Sequence, residues 1–301
     1  MTKRKTIIGS LAAALLVVVY FGLSLVIVNT ALVAEANPVD GRPEELGLTY
    51  EDVSFAPRGS DGITLRGWWF PNDDAPGTVI WVHGLDNQRS EQLDLIRDLL
   101  AQGFQVLAFD LRGHGESDLA PMGAGLLEQD DVLGAVDFVM AERDVEPGKV
   151  LLMGKSFGGA IVLMAGVREP AVVGVYADSA FADLSDVMID EVADRTPIPR
   201  WGARLLRPGL VFTARLFKGI DIGEVRPERS VAAYPYLVGL THCDADERVP
   251  LENVIRLRAA APPGSWFNIY PDCAHADAYL DFSEQYVAIV TNYFNERLGV
   301  E

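Results

Sequence analysis

Cysteine is almost missing from this chain: two residues, Cys243 and Cys273, in a length of 301. With no CxxC spacing, zinc and thiol-redox motifs find no support, and no metal centre is expected. Basic residues are also short, 25 Lys and Arg against 43 Asp and Glu. The net charge of -18 argues against nucleic acid as a partner, because neutralising phosphates takes clustered Lys and Arg. The carboxylate excess reads instead as a solubilising surface, with a halophilic origin as the other reading. Disorder is excluded too, since charged residues reach only 23% and are mixed with 49% hydrophobic ones. Internal repeats are absent. The length suffices for one large α/β domain plus an appendage.

One long apolar run is present. Lys3, Arg4 and Lys5 precede a stretch from Thr6 to Ala34 that contains no charge. As a helix, Ile7 to Val28 alone would extend about 33 Å, enough for a hydrocarbon core. A cleaved signal peptide has an apolar stretch of about 7–15 residues, so the run reads as a retained anchor. The competing reading is cleavage at Ala34-Glu35-Ala36, which would make the protein secreted. A buried core helix fits less well, because the run lacks a polar face. Cations before the run and Glu35, Asp40, Glu44 and Glu45 after it place the N-terminus in the cytoplasm and the rest outside. The expected division is a basic tip and anchor over 1–36, a Pro-, Gly- and acid-rich linker over 37–49, and one domain over 50–301.

Within that domain, 53–56 and 63–70 flank a Gly-Ser-Asp-Gly turn at 59–62, a predicted hairpin. Short apolar runs at 78–82, 105–109, 150–153, 172–176, 236–240 and 266–270 then alternate with helical patterns near 91–101, 126–142, 157–167, 251–260 and 278–298. Strands buried on both faces and alternating with helices predict an open, mostly parallel sheet. The alternation fails over 181–233, where helical sequence carries Pro197, Pro199, Pro208 and Pro227 but no strand. An insertion after a strand's carboxyl end reads as a cap over the ligand crevice.

The strongest motif is Gly154-Lys155-Ser156-Phe157-Gly158-Gly159, directly after Val150-Leu151-Leu152-Met153. It has the G-x-S-x-G form in a strand–turn–helix setting, which makes Ser156 a nucleophile on a sharp elbow. Gly154 and Gly158 would avoid clashes with neighbouring backbone, and the helix N-terminus would favour developing negative charge. A phosphate-binding loop would need a glycine five positions before Gly154, where Lys149 stands; Gly148 is out of register. All four histidines (His83, His114, His242 and His275) are predicted just beyond strands, hence along the sheet's carboxyl edge. A serine nucleophile needs a base, and the base needs a carboxylate. The segment 242–250 offers Asp244, Asp246 and Glu247.

Val79-Ile80-Trp81-Val82-His83-Gly84, Asp110-Leu111-Arg112-Gly113-His114-Gly115-Glu116-Ser117 and the elbow resemble successive signatures of α/β-hydrolases. Asp246 through Pro250 and Cys273-Ala274-His275 extend the resemblance over about residues 50 to 298. It looks like the esterase, monoacylglycerol-lipase and serine-aminopeptidase branch, with its membrane-anchored members. The resemblance implies the α/β-hydrolase fold: a mainly parallel sheet of about eight strands, helices on both faces, a small helical cap and no cofactor. It implies Ser156, Asp246 and His275 as a catalytic triad. The oxyanion donors would be the amides of Leu85 and Phe157, each worth about 2.7–4 kcal/mol. His83 and Gly84 would belong to the same loop, His83 as a brace. The segment usually reads H-G-x-x-D-x-x-V-P, and Cys243 replaces its glycine. Cys243 and Cys273 are then either a disulfide across the acid and base loops, given an oxidising compartment, or two separate buried thiols. The implied activity is hydrolysis of a small or lipid-like ester. A peptidase or thioesterase would use the same triad, and a membrane-tethered binding protein on this fold is the reading from another class.

Overall fold

The computed structural model describes residues 2–32, 37–60 and 62–300, with side chains from Thr6 onward. Asp61 of the predicted turn and the Ala34–Ala36 segment lie outside the described residues. The chain divides into two compact units: Met1–Val33 with Leu184–Val225, and Ala34–Asp183 with Arg226–Glu301.

The larger unit is built on one eight-stranded sheet. Its strands are β1 (Glu51–Phe55), β2 (Leu65–Phe70), β3 (Thr78–Val82), β4 (Gln105–Phe109), β5 (Val150–Lys155), β6 (Val172–Asp178), β7 (Gly239–Cys243) and β8 (Trp266–Tyr270). They lie in the order β1-β2-β4-β3-β5-β6-β7-β8. β2 runs antiparallel to β1 and β4, and every other pairing is parallel. All of β3 is buried, as expected for a strand covered on both faces. From β3 the chain goes outward to β4, then returns to β5 on β3's other side. Such a reversal opens a crevice at the strands' carboxyl ends, and Val82 and Gly154 end up paired there.

Helices cover both faces. On one face, α2 (Leu93–Ala101) and α10 (Ala278–Leu298) pack together over Val79, Trp81, Val106, Leu151 and Met153. On the other, α3 (Glu128–Glu142) and α4 (Phe157–Gly166) pack together, and Phe138 of α3 stacks on Phe55. Every residue of α4 is buried. Each of its large apolar side chains contributes about 1.5–3 kcal/mol by leaving water. Near the far edge lie α8 (Pro227–Val231) and α9 (Glu252–Ala260).

β7 departs from the predicted 236–240. Pro235 is exposed, and continuous burial begins only at Val238. Gly239 opens the strand because its α-carbon passes over the Tyr176 ring, where a Cβ would fall under 3.0 Å. His242 therefore lies inside β7 instead of beyond it. The segment read as a linker is ordered against the larger unit. It forms a 3-10 turn at Pro43–Leu46, ended by Gly47 at φ 70°. Asp40 accepts from Gln88 and Ser90, Gly41 donates to Ser90, and Asn37 donates to the Asp86 carbonyl.

The smaller unit contains α1 (Thr2–Ala31), α5 (Leu184–Arg195), α6 (Arg200–Arg204) and α7 (Arg207–Lys218). Its insertion lies inside the predicted interval 181–233. Among the described residues one helix is long and apolar enough to cross a membrane, over Thr6–Ala31.

Candidate active site

The elbow is set by steric necessity. Ser156 has φ 54° and ψ -115°, a backbone conformation that costs about 1–3 kcal/mol and persists only when its surroundings enforce it. Its amide donates to the Asp178 carbonyl at 2.7 Å, fixing the turn to the end of β6. A Cβ on Gly158 would fall under 3.0 Å from the carbonyl oxygens of Val82 and His83. One on Gly154 would meet the Gly158 carbonyl equally closely. Both glycines are needed for close backbone approach. Gly84 is not, since a Cβ there would find its first neighbour at 3.7 Å.

Two loops meet the elbow in series. His275, between β8 and α10, places Nε2 2.8 Å from Ser156 Oγ. Its Nδ1 lies 2.6 Å from Asp246 Oδ2. The Asp246 side chain is fully buried, and its other oxygen accepts from the amides of Arg248 and Val249 at 3.0 and 2.8 Å. Three donors thus hold one carboxylate with both oxygens occupied, which satisfies a buried charge. Among the described residues the Leu85 and Phe157 amides donate to no protein acceptor.

The other three histidines are fully buried. His83 Nε2 accepts from the Leu111 amide at 3.0 Å, so its proton sits on Nδ1, 2.7 Å from the Gly84 carbonyl. It ties the β3 loop to the β4 loop. The His114 ring lies tilted against it at 5.1 Å and points Nδ1 at the Arg112 carbonyl. Burial, with the neighbouring His83, lowers the His114 pKa from 6.5 to about 4. His242 Nε2 faces the Val249 carbonyl at 2.8 Å, and burial lowers its pKa too. Cys243 and Cys273 form a disulfide between the end of β7, which leads into the Asp246 loop, and the loop that carries His275.

Several site residues escaped sequence reasoning. Glu91 accepts from the Gly84 amide at 2.9 Å and pairs with Lys155 at 3.1 Å, joining the β3 loop to the residue before Ser156. Lys155 belongs to the elbow motif, but nothing local in the sequence names its partner. Asp178 is buried and accepts from Ser179 and Tyr286. Burial raises its pKa.

A mostly parallel eight-stranded sheet with a strand–elbow–helix at its centre and a helical insertion after the sixth strand is the architecture of an α/β-hydrolase. The comparisons agree, and the chain belongs to the α/β-hydrolase superfamily. The family described as serine aminopeptidase, S33, matches residues 73–216. The uncharacterized protein YfhR of Escherichia coli strain K12 is 31% identical over 258 residues, covering 81% of this chain and 82% of its own. The α/β-hydrolase domain-containing protein WAV2 of Arabidopsis thaliana is 26% identical over 81% of this chain and 78% of its own. Among solved structures, the Pyrococcus furiosus esterase Pf2001 superimposes with a TM-score of 0.70 at 22% identity, over 88% of this chain and 99% of that one.

Proposed function

We propose that the chain is a serine hydrolase that cleaves carboxylic esters through an acyl-enzyme. The observation carrying this is the line of contacts from Ser156 Oγ through His275 to Asp246, at 2.8 and 2.6 Å. Ser156 attacks the ester carbonyl as its proton passes to His275 Nε2. Asp246 stays ionised and holds the imidazolium. The carbonyl oxygen, now anionic, rests on the Leu85 and Phe157 amides. Collapse breaks the bond to the alcohol, which leaves with the proton from His275. Water then repeats the sequence on the acyl-enzyme, giving its proton to His275 and releasing the acid and Ser156.

The esterase named among the structural neighbours supports ester chemistry, and the serine aminopeptidase description supports a peptidase as the second reading. Labelling by a fluorophosphonate probe tests the nucleophile. Loss of labelling in Ser156→Ala is expected, and no labelling of the native protein would favour a binding protein instead. Side-by-side hydrolysis of esters of graded acyl length, thioesters and aminoacyl amides separates the enzymatic readings.

The same reading places α1 across a membrane as a single-pass anchor, N-terminus in the cytoplasm and catalytic unit outside. Two observations support it: the 26-residue span Thr6–Ala31, preceded by Lys3, Arg4 and Lys5, and a disulfide of the kind that oxidising compartments maintain. Tethering favours a lipid-like ester as substrate. Resistance of the native protein to alkaline carbonate extraction tests the anchor.

A further inference from the structure

Along α1 and just past its end, Tyr20, Ser24, Val28 and Leu32 recur every four residues; Ser24, Val28 and Leu32 are buried and Tyr20, Leu25 and Ile27 half-buried, while the rest of the helix from Thr6 is exposed. The helix packs on α7. Tyr20 Oη donates to the Leu205 carbonyl at 2.8 Å and accepts from the Gly209 amide at 2.9 Å. Gly209 is buried in this contact, and a Cβ there would fall under 3.0 Å from Ser24 Oγ and the Tyr20 ring. Ser24 Oγ donates to the Tyr20 carbonyl within α1, and close approach at a small residue with its polar groups satisfied is how helices associate inside lipid. Tyr20 lies roughly 18 Å along the helix from Leu32, so α7 sits against the outer half of the span.

The cap stretch beside it has an unusual composition for this chain. Between Arg195 and Lys218 there are six basic residues and not one of the 43 Asp and Glu. Leu206 and Leu210 are buried, but other large apolar side chains are turned outward: Trp201 is 70% exposed, Leu205 65%, Phe212 52% and Leu216 61%. The Phe212 ring meets the exposed Phe21 of α1 at 5.2 Å, so the apolar surface runs on from the anchor to the cap. Arg195, Arg200, Arg207 and Arg215 reach carboxylates that lie outside the stretch, on Glu191, Asp190, Asp186 and Asp221. Such pairs near the surface contribute about 0–1 kcal/mol. Arg204 and Lys218 are exposed.

We infer that α6 and α7 lie in the outer leaflet of the membrane that α1 spans, with Trp201, Leu205, Phe212 and Leu216 among the acyl chains and the basic side chains on anionic headgroups. Apolar residues interleaved with Lys and Arg are the composition of helices that rest in a lipid interface. The inference rests on the anchor reading of α1 and not on the catalytic one.

The test uses the full chain in phosphatidylcholine vesicles, with or without phosphatidylglycerol, whose acyl chains carry bromine at shallow or deep positions. Trp68, Trp69 and Trp81 are buried and Trp266 half-buried, so comparison with Trp201→Phe isolates the outward tryptophan. Strong quenching by shallow bromine, mostly lost in Trp201→Phe and larger with phosphatidylglycerol, is the expected result. Equal quenching in the two lipid mixtures would overturn the anionic-headgroup half. A Trp201 signal open to aqueous acrylamide but not to bromine would overturn the whole, even if carbonate extraction upheld the anchor. Shielding from both quenchers would mean that a protein, such as a second copy of the chain, covers the surface, and would overturn it equally. Loss of the protein to carbonate would sink anchor and inference together. Fluorescence does not read catalysis, so failure here leaves the esterase reading standing.

Discussion

At the carboxyl edge of the sheet, charges are buried and provided with partners, whereas in the cap stretch 195–218 apolar side chains stand exposed. Asp246 is fully buried with three donors, and Arg89 is buried with Asp110 at 2.6 Å and over the Trp68 ring at 4.4 Å. In the cap, Trp201 and Leu216 are more than half exposed. Burying a charge without partners costs several kcal/mol, so the edge specifies its own contacts closely. Exposed apolar groups at this density are not explained by folding and point to an external partner. One region is complete within the chain, and the other is not.

The largest expected effect tests the first region at its centre. Ser156→Ala should lower turnover by roughly six orders of magnitude on the best ester, read by steady-state kinetics. Native rates in that variant would remove the triad reading, and with it the reason for the buried charges. Asp246→Asn should cost roughly four orders, because an amide cannot hold His275 in the tautomer that accepts the serine proton. A loss under tenfold would reduce Asp246 to a loop brace.

Much of this edge was legible in the sequence because its constraints are local. The elbow is six consecutive residues whose glycines answer to backbone oxygens under 3.0 Å away. Strand–helix alternation likewise displayed the parallel sheet. What stayed hidden is long-range. Glu91 meets Lys155 across 64 positions, and no local pattern encodes that pairing. β7 was misplaced by three residues because Gly239 weakens the apolar run where Tyr176 demands a glycine. The cap's apolar residues were visible, but their outward direction was not, since helical spacing reads the same for packing inward or outward.

Two smaller effects sharpen the contrast. Arg89→Ala should destabilise the fold by about 3–5 kcal/mol, because Asp110 would keep a buried charge without its counter-ion. Arg215→Ala in the cap, whose pair is 3.5 Å long and exposed, should fall within about 0.5 kcal/mol in the same thermal unfolding measurement. The buried His114 adds a pH dependence. Its folded pKa of about 4 lies below the unfolded 6.5, so between these values the unfolded chain binds the extra proton. Stability from this group is complete above pH 6.5 and is lost as the pH falls toward 4, by roughly 3 kcal/mol. His114→Gln should flatten that slope in denaturant unfolding followed across the pH range. An unchanged slope would assign the loss elsewhere, His242 being the next candidate.

The smallest expected effect bears on the second region. Leu99 of α2 is fully buried and Leu216 of α7 is 61% exposed. Leu99→Ala should cost about 2–5 kcal/mol, the transfer of its side chain plus the cavity left behind. Leu216→Ala removes the same atoms, yet should change stability by less than about 0.5 kcal/mol in the full chain held in detergent. The two variants are chemically identical substitutions, so only their surroundings can separate them. A Leu216→Ala loss approaching that of Leu99→Ala would mean that the cap's outer side chains pack in the folded chain after all. The apolar surface would then need no lipid to explain it, and the opposition between the two regions would dissolve.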